Sequence, residues 1–79
     1  MNLEGFEIIH DSNLEKGKTY YYKSKFGSGY VIARKSDLRG WDVELQPDSS
    51  FKNALLKPMK VGDMMTVPPG VGTFYEPQI

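Results

Sequence analysis

The residues whose types and spacing could do chemistry lie mainly between Lys18 and Lys35. They are Lys18, Tyr20, Tyr22, Lys23, Lys25, Tyr30, Arg34 and Lys35. Tyrosine rings stack on nucleobases and Lys or Arg neutralises phosphate, a pairing by which small β-domains grip single strands. Tyr and Arg are also the residues that dominate protein–protein hot spots. The segment therefore predicts a binding surface for an acidic macromolecular partner, either nucleic acid or an acidic protein surface. A plainer arrangement uses the same residues: rings in the core with their hydroxyls at the rim, and lysines that only solvate a sheet.

The charge pattern favours the binding reading. Residues 16–40 carry Lys16, Lys18, Lys23, Lys25, Arg34, Lys35 and Arg39 against Asp37 alone, a net charge of +6. Residues 1–15 carry Glu4, Glu7, Asp11 and Glu15 and no Lys or Arg, a net charge of −4. Such polarity sets fields and encounter rates. An acidic first strand laid beside the basic segment would cancel it.

Other candidates are weaker. Gly27-Ser28-Gly29 resembles a phosphate cradle only superficially, because a P-loop opens a helix and these glycines join two strand patterns, as in a hairpin turn. His10 and Asp11 are adjacent; on one strand they would point to opposite faces and could not easily form a base and its orienter, so His10 reads as a surface or strand-end histidine. Asp42 and Glu44 lie about 7 Å apart on one strand face, a spacing that suits a carboxylate pair, but their alternation with Trp41, Val43 and Leu45 makes a solvated outer face. No nucleophile sits beside a general base. The sequence predicts no enzyme activity, no catalytic residue, no metal site and no cofactor.

These residues must be held by short strands. Gly5–His10 reads as a strand with Phe6 and Ile8 on one face, and Asp11-Ser12-Asn13 as a turn. Thr19–Ser24 is β-branched and aromatic, and Gly29–Ser36 is a second strand of the same hairpin. Trp41–Gln46 has the cleanest period-two alternation in the chain, with Trp41, Val43 and Leu45 to one side. Asp48-Ser49-Ser50 resembles a helix cap, and a short helical turn is expected near residues 49–57, ended by Pro58. Met64–Val67 and Thr73–Glu76 complete the set, with Pro77 placing the last strand at an edge. The fold class predicted is all-β: a small five- to six-stranded antiparallel barrel or strongly curved sheet, SH3-like first and OB-like second. Met59, Met64, Met65, Val67, Val71, Phe74 and Tyr75 are first of all core filling, but they could exceed what one small core needs, and if part of this surface is exposed a homodimer or a partner follows.

Composition bounds the rest. The chain has 79 residues, no cysteine and one histidine, and its ten Lys plus Arg balance ten Asp plus Glu. That length predicts one small domain over residues 1–79. The lack of cysteine excludes a disulfide scaffold and any cysteine-bound metal. No apolar run approaches the roughly 18 residues of a membrane span, and Met1-Asn2-Leu3-Glu4 is not a signal-peptide start. The expected setting is cytoplasmic, with no membrane partner. The main functional expectation is a non-enzymatic binding protein using the basic, tyrosine-rich hairpin. The alternative is a phage- or mobile-element-type accessory protein that inhibits or modulates a host protein by direct binding, a form suggested by so short a reading frame.

Overall fold

In the computed structural model, residues 6–52 and 57–77 are described. The described residues form seven strands: β1 (Phe6–Ile9), β2 (Thr19–Ser24), β3 (Gly27–Asp37), β4 (Gly40–Leu45), β5 (Ser50–Phe51), β6 (Met64–Val67) and β7 (Thr73–Pro77). All pairings are antiparallel. The sheet runs β1-β7-β2-β3-β4-β6, and β5 pairs with the beginning of β3. The ladder joins neither β1 nor β6 to a second strand among the described residues, so the sheet is open and a closed barrel is not what these pairings make.

One face of the sheet carries the core. Tyr20 and Tyr22 of β2, Val31 and Ala33 of β3, Val43 and Leu45 of β4, Phe51, Val67 and Phe74 are buried together with Leu14. Trp41 packs against this cluster, as its alternation with Val43 and Leu45 requires. Burying side chains of this size contributes about 1.5–3 kcal/mol each. The tyrosines enter the core because their hydroxyls find partners: that of Tyr20 accepts from the Glu15 backbone N–H at 2.8 Å, and that of Tyr22 bonds Ser24.

Several sequence expectations are corrected. The turn of the β2–β3 hairpin is Lys25-Phe26, and Gly27-Ser28-Gly29 lies within β3. Both glycines meet the backbone of residues 48–51 at close range, where β5 pairs alongside the start of β3. A Cβ at Gly27 would sit 1.8 Å from the Ser50 carbonyl oxygen, and one at Gly29 would sit 2.2 Å from the Ser49 Cα. Their φ angles of 136° and 151° also suit glycine best. The helical turn expected near 49–57 is not formed where the chain is described: Ser50–Phe51 is strand, and Lys52 bridges Pro58. Residues 53–56 lie outside the described residues. Among the described residues the helical turn is a 3₁₀ turn at Asp11–Asn13. Finally, β7 is interior. Pro77 is tolerated because β2 pairs only with Thr73–Tyr75, so the missing N–H falls beyond that ladder.

Candidate functional site

The pleat decides which residues of the hairpin can meet a ligand. Tyr20 and Tyr22 are 0% and 2% exposed and point into the core, so neither ring offers a face to a partner. Tyr22 stacks on Phe51 at 6.1 Å and packs on Phe74 at 4.5 Å between ring centroids. Tyr21, between them in sequence, points the other way and stands outside the core cluster. Tyr30 is its cross-strand partner on β3 and Tyr75 its partner on β7; Ile8 of β1 is paired in turn with Tyr75.

A lateral row Ile8–Tyr75–Tyr21–Tyr30 therefore crosses four strands on the face opposite the core, and Phe6 stands beside it. Ring centroids lie 5.4 Å apart for Tyr21–Tyr30, 6.1 Å for Phe6–Tyr21 and 6.2 Å for Tyr21–Tyr75. Tyr21 and Tyr30 meet edge to face, at 80°, the geometry that aligns a ring edge with a neighbouring π-face. Tyr21 is buried by its neighbours, Phe6, Tyr30 and Tyr75 are half-buried, and Ile8 at the end of the row is 73% exposed. Of this row, Tyr30 is among the hairpin candidates and Tyr75 among the apolar residues that the sequence offers as a partner surface. Phe6 and Ile8 are readable as sharing a face, but nothing in the sequence places that face beside Tyr21, because β7 has first to be inserted between β1 and β2.

The cations of the hairpin separate into two groups. Lys18 pairs with Glu76, Arg34 with Glu44 at 3.1 Å, and Arg39 with Asp37 at 3.2 Å. The Glu76 hydrogen bond raises the Lys18 pKa above its ordinary value, against a smaller opposing effect of desolvation. The backbone N–H of Arg39, followed by its guanidinium, lowers the Asp37 pKa. The acids that neutralise Lys18 and Arg34 come from β7 and β4, and the acidic first strand pairs with β7 rather than with the hairpin. Lys16, Lys23, Lys25 and Lys35 have no carboxylate within 4 Å among the described residues. Lys23 lies on β2 two residues beyond Tyr21, opposite Ser28 on one side and Thr73 on the other. Lys25 sits in the hairpin turn, its Nζ 5.2 Å from the Phe26 ring centroid.

The remaining candidates take local roles. His10 Nδ1 lies 3.1 Å from Asp11 Oδ1, 2.7 Å from Ser12 Oγ and 3.2 Å from the Ser12 backbone nitrogen. This corrects the expectation that His10 and Asp11 cannot easily meet: His10 caps the 3₁₀ turn and is not in a strand. Asp42 accepts from the Thr66 hydroxyl at 2.7 Å, and Glu44 is held by Arg34 and Gln46, so this carboxylate pair is spent on neighbours. Among the described residues no three His, Asp or Glu side chains gather as a metal-binding group, and no helix is long and apolar enough to cross a membrane. No family model, curated protein or solved structure matches the chain.

Proposed function

We propose that the chain is a non-enzymatic binding protein that docks on another protein through the outer face of β1, β7, β2 and β3. The observation that carries this reading is the row Ile8–Tyr75–Tyr21–Tyr30, an aromatic and aliphatic strip on the sheet face opposite the core. Rings already packed edge to face have few open π-faces for bases, but they form a rigid, amphipathic surface of the kind that anchors protein interfaces. The ion pairs of Lys18 and Arg34 remove two of the cations a phosphate backbone would need. An accessory or inhibitory role by direct contact follows from such a surface. The small-barrel architecture belongs to the same proposal: a gap of about 190 Å³ lined by Ile9, Val67 and Phe74 lies where β6 faces the β1–β7 pair.

Polyanion binding is the second reading. It is favoured by Lys23 and Lys25, two hairpin cations with no carboxylate partner among the described residues. One experiment separates the two. Tagged wild type, Ile8→Glu and Lys23→Glu/Lys25→Glu are used to capture partners from lysate, with and without nuclease, at low and high salt. The protein-docking reading expects a protein that survives nuclease and high salt with wild type and is lost with Ile8→Glu. Capture that disappears with nuclease, falls steeply with salt and is lost only in the double lysine variant overturns it in favour of polyanion binding.

A further inference from the structure

The core face is not covered evenly. Near the hairpin turn, a cleft of about 310 Å³ opens between that turn and the Pro68–Gly72 connection. Its walls are Tyr22, Phe26, Met59, Met65, Val67 and Val71, and Lys52 stands at its edge. The volume is at the lower end of the range of small-molecule sites, about 300–1,000 Å³. Two methionines give it a wall that adapts to the shape of an apolar guest.

Among the described residues Lys52 is the one charged residue of the lining, while the lining Thr66 donates its hydroxyl to Asp42 at 2.7 Å. Among the described residues no Asp or Glu lines the cleft. Its titratable lining groups are Lys52 and Tyr22, and burial raises the Tyr22 pKa, which keeps that hydroxyl neutral. The Lys52 backbone N–H donates to the Phe26 carbonyl at 2.9 Å, which fixes the base of that side chain beside the hairpin turn. Lys25 lies over the ring of the same Phe26. Neither lysine has a carboxylate within 4 Å among the described residues. Among the described residues, a guest here meets an apolar floor, the Lys52 side chain at the edge and no lining acid, and Lys25 lies outside the lining, over Phe26.

We propose that this cleft binds a small apolar anion, an alkyl or aryl chain ending in a carboxylate. The chain would lie against Met59, Met65 and Val71, and the carboxylate would reach Lys52 at the mouth, with Lys25 adding to the field. The site is on the opposite face of the sheet from the Ile8–Tyr30 row, so it stands or falls independently of the docking surface.

Methionine-methyl NMR tests it. Met59 and Met65 line the cleft, whereas Met64 alternates onto the other face of β6 and serves as an internal control. Protein labelled at the methionine methyls is titrated with decanoate and, separately, with decyltrimethylammonium, both below their micelle concentrations. The expected result is a saturable shift of Met59 and Met65 with decanoate, an unmoved Met64, and binding of the cation weaker by tenfold or more, about 1.4 kcal/mol. Lys52→Glu weakens decanoate several-fold, and Val71→Trp, which fills the cleft from its exposed rim, abolishes the shifts while leaving the rest of the spectrum dispersed. The proposal is overturned by no saturable shift with decanoate, by equal affinity for the cation, or by Met64 moving along with Met59 and Met65.

Discussion

The two faces of β2 use the same amino acid in opposite ways. Tyr20 and Tyr22 face the core, where Phe51, Phe74 and Leu14 enclose them and their hydroxyls are satisfied by Glu15 and Ser24. Tyr21 faces outward, where Phe6, Tyr30 and Tyr75 pack around it and Ile8 is left open to solvent. A tyrosine inside the core is held by what surrounds it on every side. Tyr21 in the outer row is nearly as enclosed, at 4% exposed, but by rings that are themselves half-buried, and the row ends in the exposed Ile8. The residue type does not decide between stability and recognition; the pleat and the neighbouring strands do.

The comparison can be broken most forcefully at Tyr22. Replacing it with Ala removes a ring packed against Phe51 and Phe74, and a loss of about 3–5 kcal/mol is expected. Against the margin of a few kcal/mol that a domain this small carries, the variant should be largely unfolded by circular dichroism at 25 °C. Tyr75→Ala, on the outer face, should stay folded with a fall of about 1–2 kcal/mol in denaturant titration. Equal losses at the two positions would mean that the outer row is a second core rather than a surface.

Next in size is the close approach of residues 48–51 to the start of β3. Gly29→Ala places a methyl against the Ser49 backbone at a φ that side chains rarely adopt, and a cost of about 2–3 kcal/mol is expected in the same titration. Gly17→Ala meets no atom within 4 Å, although φ is 87° there, so its cost should be smaller, about 1 kcal/mol from backbone strain alone. A result in the reverse order would remove the close approach as the reason for the hairpin glycines.

A pH experiment sharpens the contrast further. Burial raises the Tyr22 pKa in the folded chain above the ordinary 10.0. The unfolded chain then releases this proton first as pH rises, so the contribution is fully present below pH 10.0 and is lost as pH climbs toward the folded value. Lys18, raised by Glu76, acts in the same direction. Wild type should therefore lose stability above pH 10.0, and Tyr22→Phe should lose it less steeply, as followed by denaturation midpoints across that range. An unchanged slope would mean that Tyr22 does not titrate differently in the two states. The smallest effect belongs to the outer face: a double-mutant cycle on Arg34 and Glu44 should give a coupling of about 0.2–1 kcal/mol that shrinks with added salt.

What could be read from the chain follows the same physical division. Trp41, Val43 and Leu45 announce their face because polar residues alternate with them. Tyr20-Tyr21-Tyr22 does not, since three rings in a row satisfy either register and only pairing with β7 and β3 settles which pair goes in. The all-β class and most strands are legible from β-branched and aromatic runs between turn residues. The two-residue strand β5 is not, because it is too short to have a period, and Gly27-Ser28-Gly29 misleads because glycine marks a tight turn and a close backbone approach alike. In the candidate site, Lys23 and Tyr30 stand out by type. Phe6, Ile8, Tyr21 and Tyr75 become one surface only through the strand order, which local sequence does not encode. The +6 segment is read correctly as a composition, yet its partners Glu44 and Glu76 lie on other strands and neutralise two of its cations.

The insertion of β7 between β1 and β2 also dictates how the molecule can be assembled. The hairpins β2–β3 and β3–β4 join neighbours in the chain and can form early. By contrast, β1 has no sheet partner until Thr73–Pro77 arrives, and the outer aromatic row does not exist before that event. Loop closure on this scale slows folding. The outer aromatic row thus cannot form before β7 docks, and any chain stopped short of β7 would display the open edge of β2 in its place.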